Sequence, residues 1–178
     1  MIKKLIKYNF LFFILVVCIR CGNNSDKIKN ERIFKGYSLA LDSIIKTPKG
    51  IIRGVEFGTK TKDVKALEII PPTEADEAYS YYEYKVDSLT NYSIAYTFVR
   101  DSLDEIELKI NCKNPDVGAL LLNDIKNYYQ KKYTAPVMDK GIYVYNCFDS
   151  RKRNFNISLT DNSGIDNTVI NMLFYKEK

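Results

Sequence analysis

Apolar and polar side chains alternate most strictly in two stretches of the chain. Ile94, Tyr96 and Phe98 share one side of residues 93–99. Ile106, Leu108 and Ile110 oppose Glu105, Glu107 and Lys109 over residues 105–112. A period of two with one apolar side is that of an antiparallel strand with one buried and one wet face. Residues 79–86 form a further strand-like run, and 141–148, 154–160 and 167–175 form three more. Residues 100–104 read as a hairpin loop, and 149–153 and 161–166 as turn-rich links. Residues 51–57 are rich in β-formers and predict a short strand broken by Gly58.

Three segments carry helical spacing instead. Phe34, Tyr37, Leu41, Ile44 and Ile45 predict a helix over 32–46, ended by Thr47-Pro48-Lys49-Gly50. A second runs over 62–69, capped by Thr59 or Thr61 and stopped by Pro71-Pro72. The clearest follows Asn114-Pro115-Asp116, which supplies a cap, a proline at the first helical position and an acid in the first turn. It extends to about Lys132, with Val117, Leu120, Leu121, Ile125, Tyr128 and Tyr129 on one stripe. The order is helix, three strands, helix, three strands. The fold class is α+β: an antiparallel sheet of about six strands with helices on one face, compatible with two α-β-β-β units.

That pattern resembles the beta-lactamase-inhibitor-protein-like and small outer-membrane-lipoprotein folds. Members of these mostly bind proteins, so the resemblance implies a binding role. Gly54-Val55-Glu56-Phe57-Gly58, with Val64 following, is similar to an opening found in small secreted lipoproteins.

Charge and composition add a location. The chain has 178 residues, 27 of them Lys or Arg and 22 Asp or Glu. Four of the bases, Lys3, Lys4, Lys7 and Arg20, lie in the first twenty residues, which hold no acid. Without them 23 bases face 22 acids, so the rest lacks the basic excess of a nucleic-acid binder. There is no histidine, which excludes imidazole bases and His metal ligands. A basic start and the apolar run Phe10–Ile19 have the layout of a secretory signal, and the run is shorter than a membrane span requires. The next residues, Cys18-Ile19-Arg20-Cys21-Gly22-Asn23-Asn24-Ser25, resemble a bacterial lipoprotein signal, in which a cysteine becomes the lipidated first residue. Cys21 is the expected lipid attachment, because a polar tether follows it; Cys18 is the alternative. Neither has the small preceding residue of that family's pattern, since Val17 and Arg20 stand there. The expected organisation is a signal peptide over 1–20, a lipidated tether over 21–31 and one α+β domain over 32–178.

Exported as read, the protein keeps Cys112 and Cys147 in an oxidising space. A disulfide between them, closing a loop of about 35 residues, is weighed against two buried thiols. Other candidates are weaker. Ser43-Ile44-Ile45-Lys46 matches S-x-x-K without the companion motifs of serine acyl-enzymes. Glu74, Asp76 and Glu77, or Glu105 and Glu107, would have to face each other across a cleft to act as an acid/base pair. Residues 161–167 lack the ligand spacing of a calcium loop. Asp42-Ser43-Ile44, Asp87-Ser88-Leu89 and Asp101-Ser102-Leu103 resemble a short O-glycosylation pattern of exported bacterial proteins, Ser102 being the expected best placed.

Two groups remain as candidate partner-binding residues. Tyr79, Tyr81, Tyr82 and Tyr84 crowd one strand, two to each face, and tyrosine is a good contact residue. Arg151, Lys152 and Arg153 sit in a turn, where they would meet lipid headgroups or an acidic protein. No metal, catalytic set or cofactor is expected, and no nucleic acid. The expected protein is held to a bacterial membrane by its N-terminal lipid, facing the periplasm or the exterior, and binds an envelope protein or glycan through its sheet. The alternatives are an immunity or inhibitor lipoprotein that neutralises an envelope-acting toxin or enzyme, and a carboxylate-based hydrolase.

Overall fold

A computed structural model describes residues 34–177. Cys18 and Cys21 lie outside the described residues. The described part is α+β, with three helices and one eight-stranded antiparallel sheet. The helices are α1 (Leu39–Ile45), α2 (Thr61–Leu67) and α3 (Pro115–Lys132). The strands are β1 (Glu74–Ala75), β2 (Tyr79–Lys85), β3 (Thr90–Val99), β4 (Ser102–Cys112), β5 (Val137–Asp139), β6 (Ile142–Phe148), β7 (Asn154–Asp161) and β8 (Thr168–Lys176).

The sheet order is β1-β2-β3-β4-β8-β7-β6-β5. Two four-stranded meanders thus meet through their last strands, β4 and β8. The six long runs are strands as the alternation predicts. The expected six becomes eight because β1 and β5 pair on the outer edges; two or three residues show no period of their own. The expected strand over 51–57 is not one. Gly50, Arg53 and Gly54 have φ of 67°, 53° and 86°, and the segment folds back on itself through an Ile52–Val55 bridge. Its apolar residues, Ile51, Ile52, Val55 and Phe57, are buried all the same. Burial had the signature of a strand without the ladder.

Helix α3 begins where its cap places it, whereas α2 is capped by neither Thr59 nor Thr61: Thr61 is its first residue and Lys60 stands at the N-cap without a side-chain bond. Asn114 Oδ1 accepts from the amides of Asp116 (2.9 Å) and Val117 (3.2 Å). Helix α1 starts seven residues later than expected, capped by Ser38. The buried stripe of α3 is Gly118, Leu121, Ile125, Tyr128 and Tyr129, while Leu120 points outward. Gly118 sets the helix-to-sheet distance: a Cβ there would stand 2.2 Å from Cβ and Oγ1 of Thr168.

The core lies between the helices and one face of the sheet. Tyr82, Ile94, Leu108, Met172 and Leu159 form one buried row across it, and Tyr96, Ile106, Phe174, Ile157 and Tyr145 another. At about 25 cal/mol per Å² of apolar area, rows of this kind supply most of the folding free energy.

Candidate functional site: the open face of the sheet

The helices cover one face of the sheet and leave the other open. The central row of the open face crosses all eight strands: Glu74, Tyr81, Ala95, Glu107, Leu173, Ser158, Val144 and Val137. The next row runs Tyr79, Thr97, Glu105, Tyr175, Asn156 and Asn146. On the other side lie Glu83, Ser93, Lys109, Asn171, Thr160 and Ile142. Half-buried tyrosine, leucine and valine are thus interleaved with charges and amides. A surface of this kind suits a macromolecular contact, where aromatic anchors sit among polar groups.

Tyr79 and Tyr81 stand side by side on this face, their ring centroids 6.5 Å apart and nearly parallel. The Tyr81 hydroxyl donates to Glu83 Oε1 at 2.9 Å. Partial burial, with Glu74 and Glu107 nearby, raises the Tyr79 pKa, so the ring keeps its proton and can donate. Beyond them a shallow cavity of about 670 Å³ opens among Tyr81, Lys85, Asn91, Ser93, Lys109 and Lys113. A smaller one of about 310 Å³ lies mid-face, between Glu107, Lys109, Ser158 and Leu173.

The alternation expected for the four tyrosines of β2 holds, but only half of them face outward. Tyr82 is fully buried, so its place among the partner-binding candidates is corrected: it packs edge-on against Tyr96 in the core. Tyr84 is also corrected. It stacks on Tyr92 and donates to Glu68 Oε2 at 2.6 Å.

That carboxylate is the centre of a buried cluster that holds β2 and β3 to the 51–57 segment. Arg53 Nη2 meets Glu68 Oε2 at 2.6 Å and Arg53 Nε meets Oε1 at 2.9 Å, with both side chains 1% exposed. Arg53 Nη1 donates to the Tyr92 hydroxyl (2.8 Å) and to the carbonyls of Ser43 and Ile44. The Tyr96 hydroxyl donates to Glu68 Oε1, and the guanidinium lies 4.6 Å from the Tyr84 ring centroid. Burial opposes both charges. The Arg53 hydrogen bonds and charge override it, holding Glu68 at about 2, and the same bonds raise Arg53. Lys46 Nζ is spent on the Leu67 carbonyl (2.7 Å) and Glu68 (3.3 Å), which removes it from any S-x-x-K chemistry with Ser43. Sequence reading missed this cluster. Arg53 and Glu68 look like surface charges when only their neighbours in the chain are seen.

The basic turn divides as well. Arg153 is corrected to a structural residue: its Nε and Nη2 each lie 2.6 Å from Asp149 Oδ2, and Nη2 also reaches the Phe57 carbonyl at 2.6 Å. Arg151 and Lys152 are exposed. Lys132, at the end of α3, donates to the carbonyls of Pro48 (3.1 Å) and Gly50 (2.6 Å) and to the Tyr128 hydroxyl (3.2 Å).

Of the two readings weighed for Cys112 and Cys147, the structure has the buried thiols: both cysteines are free and buried. Cys112 pairs with Thr168 at one end of β8, and Cys147 reaches Lys176 at the other end through Phe155. Eight residues of strand and three strand spacings amount to about 26 Å along the sheet and about 14 Å across it. A bridge needs Cα atoms within about 7 Å.

Glu105 and Glu107 share the open face, two residues apart on one strand. Among the described residues no group of His, Cys, Asp and Glu could hold a metal. Residues 161–167 form a turn, in which the Ser163 amide donates to Asp161 Oδ1 at 3.0 Å. Of the three Asp-Ser serines, Ser43 and Ser88 are exposed, while Ser102 begins β4 and is half-buried. Comparison with models of protein families, with curated proteins and with solved structures returns no match to this chain, so the reading of the site rests on this geometry.

Proposed function

We propose that this is a lipid-anchored, non-catalytic protein of a bacterial cell envelope that binds a protein partner across the open face of its sheet. The observation that carries the reading is an unshielded eight-stranded face with Tyr79, Tyr81, Leu173 and Tyr175 set among charges. It is broad and shallow, the form of protein interfaces rather than of the concave sites that enclose small molecules. The leader, with Cys21 as its lipid attachment, supports placing that face outside the cytoplasm.

The test is a photo-crosslinking residue placed at Tyr81, at Leu173 and, as a control, at Leu120 on the outer side of α3, in cells that make the full chain. One protein crosslinked from Tyr81 and Leu173 but not from Leu120 is the expected result. Crosslinking from Leu120 alone, or a glycan in place of a protein, would refute the assignment. The intact mass of chain extracted from its membrane should begin at Cys21 and carry acyl chains.

A further inference from the structure

One end of the sheet carries a second surface. Phe148 closes β6 and is 63% exposed, the one aromatic side chain in the exposed class among the described residues. The turn after it presents Arg151 and Lys152, both exposed and neither in an ion pair among the described residues. Of the acids around this turn, Asp149 pairs with Arg153 and Asp104 with Lys176, while Glu56 and Glu177 accept only from neutral groups, the Ser150 hydroxyl and the Asn154 amide. Asp76, Glu77 and Asp101 lie at the same end on the far side of the sheet, at the turns of β1 to β4. Around this turn five bases, Lys132, Arg151, Lys152, Arg153 and Lys176, face four acids, Glu56, Asp104, Asp149 and Glu177, so the local excess is positive by one, beside an unshielded ring.

The chain also enters the domain at this end. Phe34 packs edge-on against Tyr128 at 5.3 Å, and Tyr128 meets Lys132 Nζ. Lys132, Tyr133, Phe148 and Ser150 line one hollow. The segment that begins at Cys21 therefore joins the domain close to Phe148. Phe34 stands thirteen positions after Cys21, a reach of at most roughly 45 Å when extended. If Cys21 carries the lipid, this is the end through which the domain is tethered to the bilayer.

We infer that this end of the domain docks on an anionic phospholipid surface, with Phe148 at the acyl boundary and Arg151 and Lys152 on headgroup phosphates. Aromatic rings favour that boundary. Each basic side chain at an anionic surface strengthens binding roughly fivefold. The corner at the β6–β7 turn then faces lipid, and the open face stays clear of it for its partner. The inference rests on the proposed anchor for proximity, but the docking itself is read separately.

The chain contains no tryptophan, so Phe148→Trp introduces a single fluorescent reporter at an exposed position. The full-length variant is purified from its membrane and reconstituted in phosphatidylcholine vesicles with about 30% phosphatidylglycerol, enough for an anionic surface, and an acyl-brominated lipid as quencher. The Phe148→Trp emission should be blue-shifted and quenched, whereas Tyr81→Trp and Leu120→Trp should be unaffected. Adding Arg151→Gln and Lys152→Gln should weaken docking roughly 25-fold and abolish most of the quenching. Unquenched Phe148→Trp, or equal quenching at Tyr81→Trp, overturns the docking. The anchor is scored by intact mass. A chain without acyl chains is added to the same vesicles from outside, where quenching still supports docking and its absence still overturns it.

Discussion

Removing the carboxylate of Glu68 by Glu68→Gln tests whether the buried cluster holds the 51–57 segment to the sheet. The substitution keeps the shape and leaves Arg53 as a charge that is 1% exposed, with neutral groups in place of its counter-ion: the amide, the Tyr92 hydroxyl, two carbonyls and the faces of Tyr84 and Tyr92. Breaking a buried pair from one side costs about 3–5 kcal/mol. The pKa gives an independent figure. The Arg53 bonds and charge hold the folded Glu68 carboxyl down to about 2 from its ordinary 4.5, and a gap of that size corresponds to about 3 kcal/mol. Because the folded pKa is the lower one, this stabilisation is complete above pH 4.5 and disappears as pH falls toward 2. Urea unfolding at pH 7 should therefore show Glu68→Gln about 3 kcal/mol less stable, with a melting temperature lower by roughly 10 °C. Between pH 4.5 and 2 the wild type should lose that advantage, so that the two curves converge. The apolar pair Arg53→Met with Glu68→Leu should recover most of the loss, since replacing both partners removes the uncompensated charge. A loss below about 1 kcal/mol at pH 7, or a gap that does not close in acid, would refute the account.

Other parts of the fold make separate predictions. Gly118→Ala should cost about 1–3 kcal/mol by overpacking against Thr168, seen in chemical denaturation, and adding Thr168→Ala should restore part of it. Cys112 and Cys147 should stay unlabelled by a thiol reagent at pH 8 until the chain unfolds, because burial raises both pKa values, Cys147 to about 12; the intact mass should not change on reduction. Tyr129→Phe removes a fully buried hydroxyl that finds no partner among the described residues, so the melting temperature should hold or rise; a fall of several degrees would show that the hydroxyl is satisfied.

Much of the architecture was legible in the chain, because periodicity and capping act over a few residues. The alternation of Ile106, Leu108 and Ile110 against Glu105, Glu107 and Lys109 marks a strand and assigns its faces without any partner. Asn114-Pro115-Asp116 starts α3 by satisfying amides within one turn. The same alternation sends Tyr79 and Tyr81 to one side and Tyr82 and Tyr84 to the other. Which side is the core depends on where the helices land.

What only the tertiary structure decided are meetings between distant residues. Arg53 and Glu68, fifteen positions apart, become a pair only when the 51–57 segment turns back under β2 and β3. Its glycines and its left-handed Arg53 overrule the β-rich composition that suggested a strand. Cys112 and Cys147 sit on separate strands of the same sheet, and nothing in their spacing tells that two strands stand between them. Phe148, Arg151 and Lys152 gain meaning from the ring of Phe34, more than a hundred residues earlier, which brings the chain entry to the same end. Local rules set the elements and their faces, because those depend on neighbours in sequence. Burial, pairing and the placing of the site depend on neighbours in space, which only the assembled sheet and its covering helices supply.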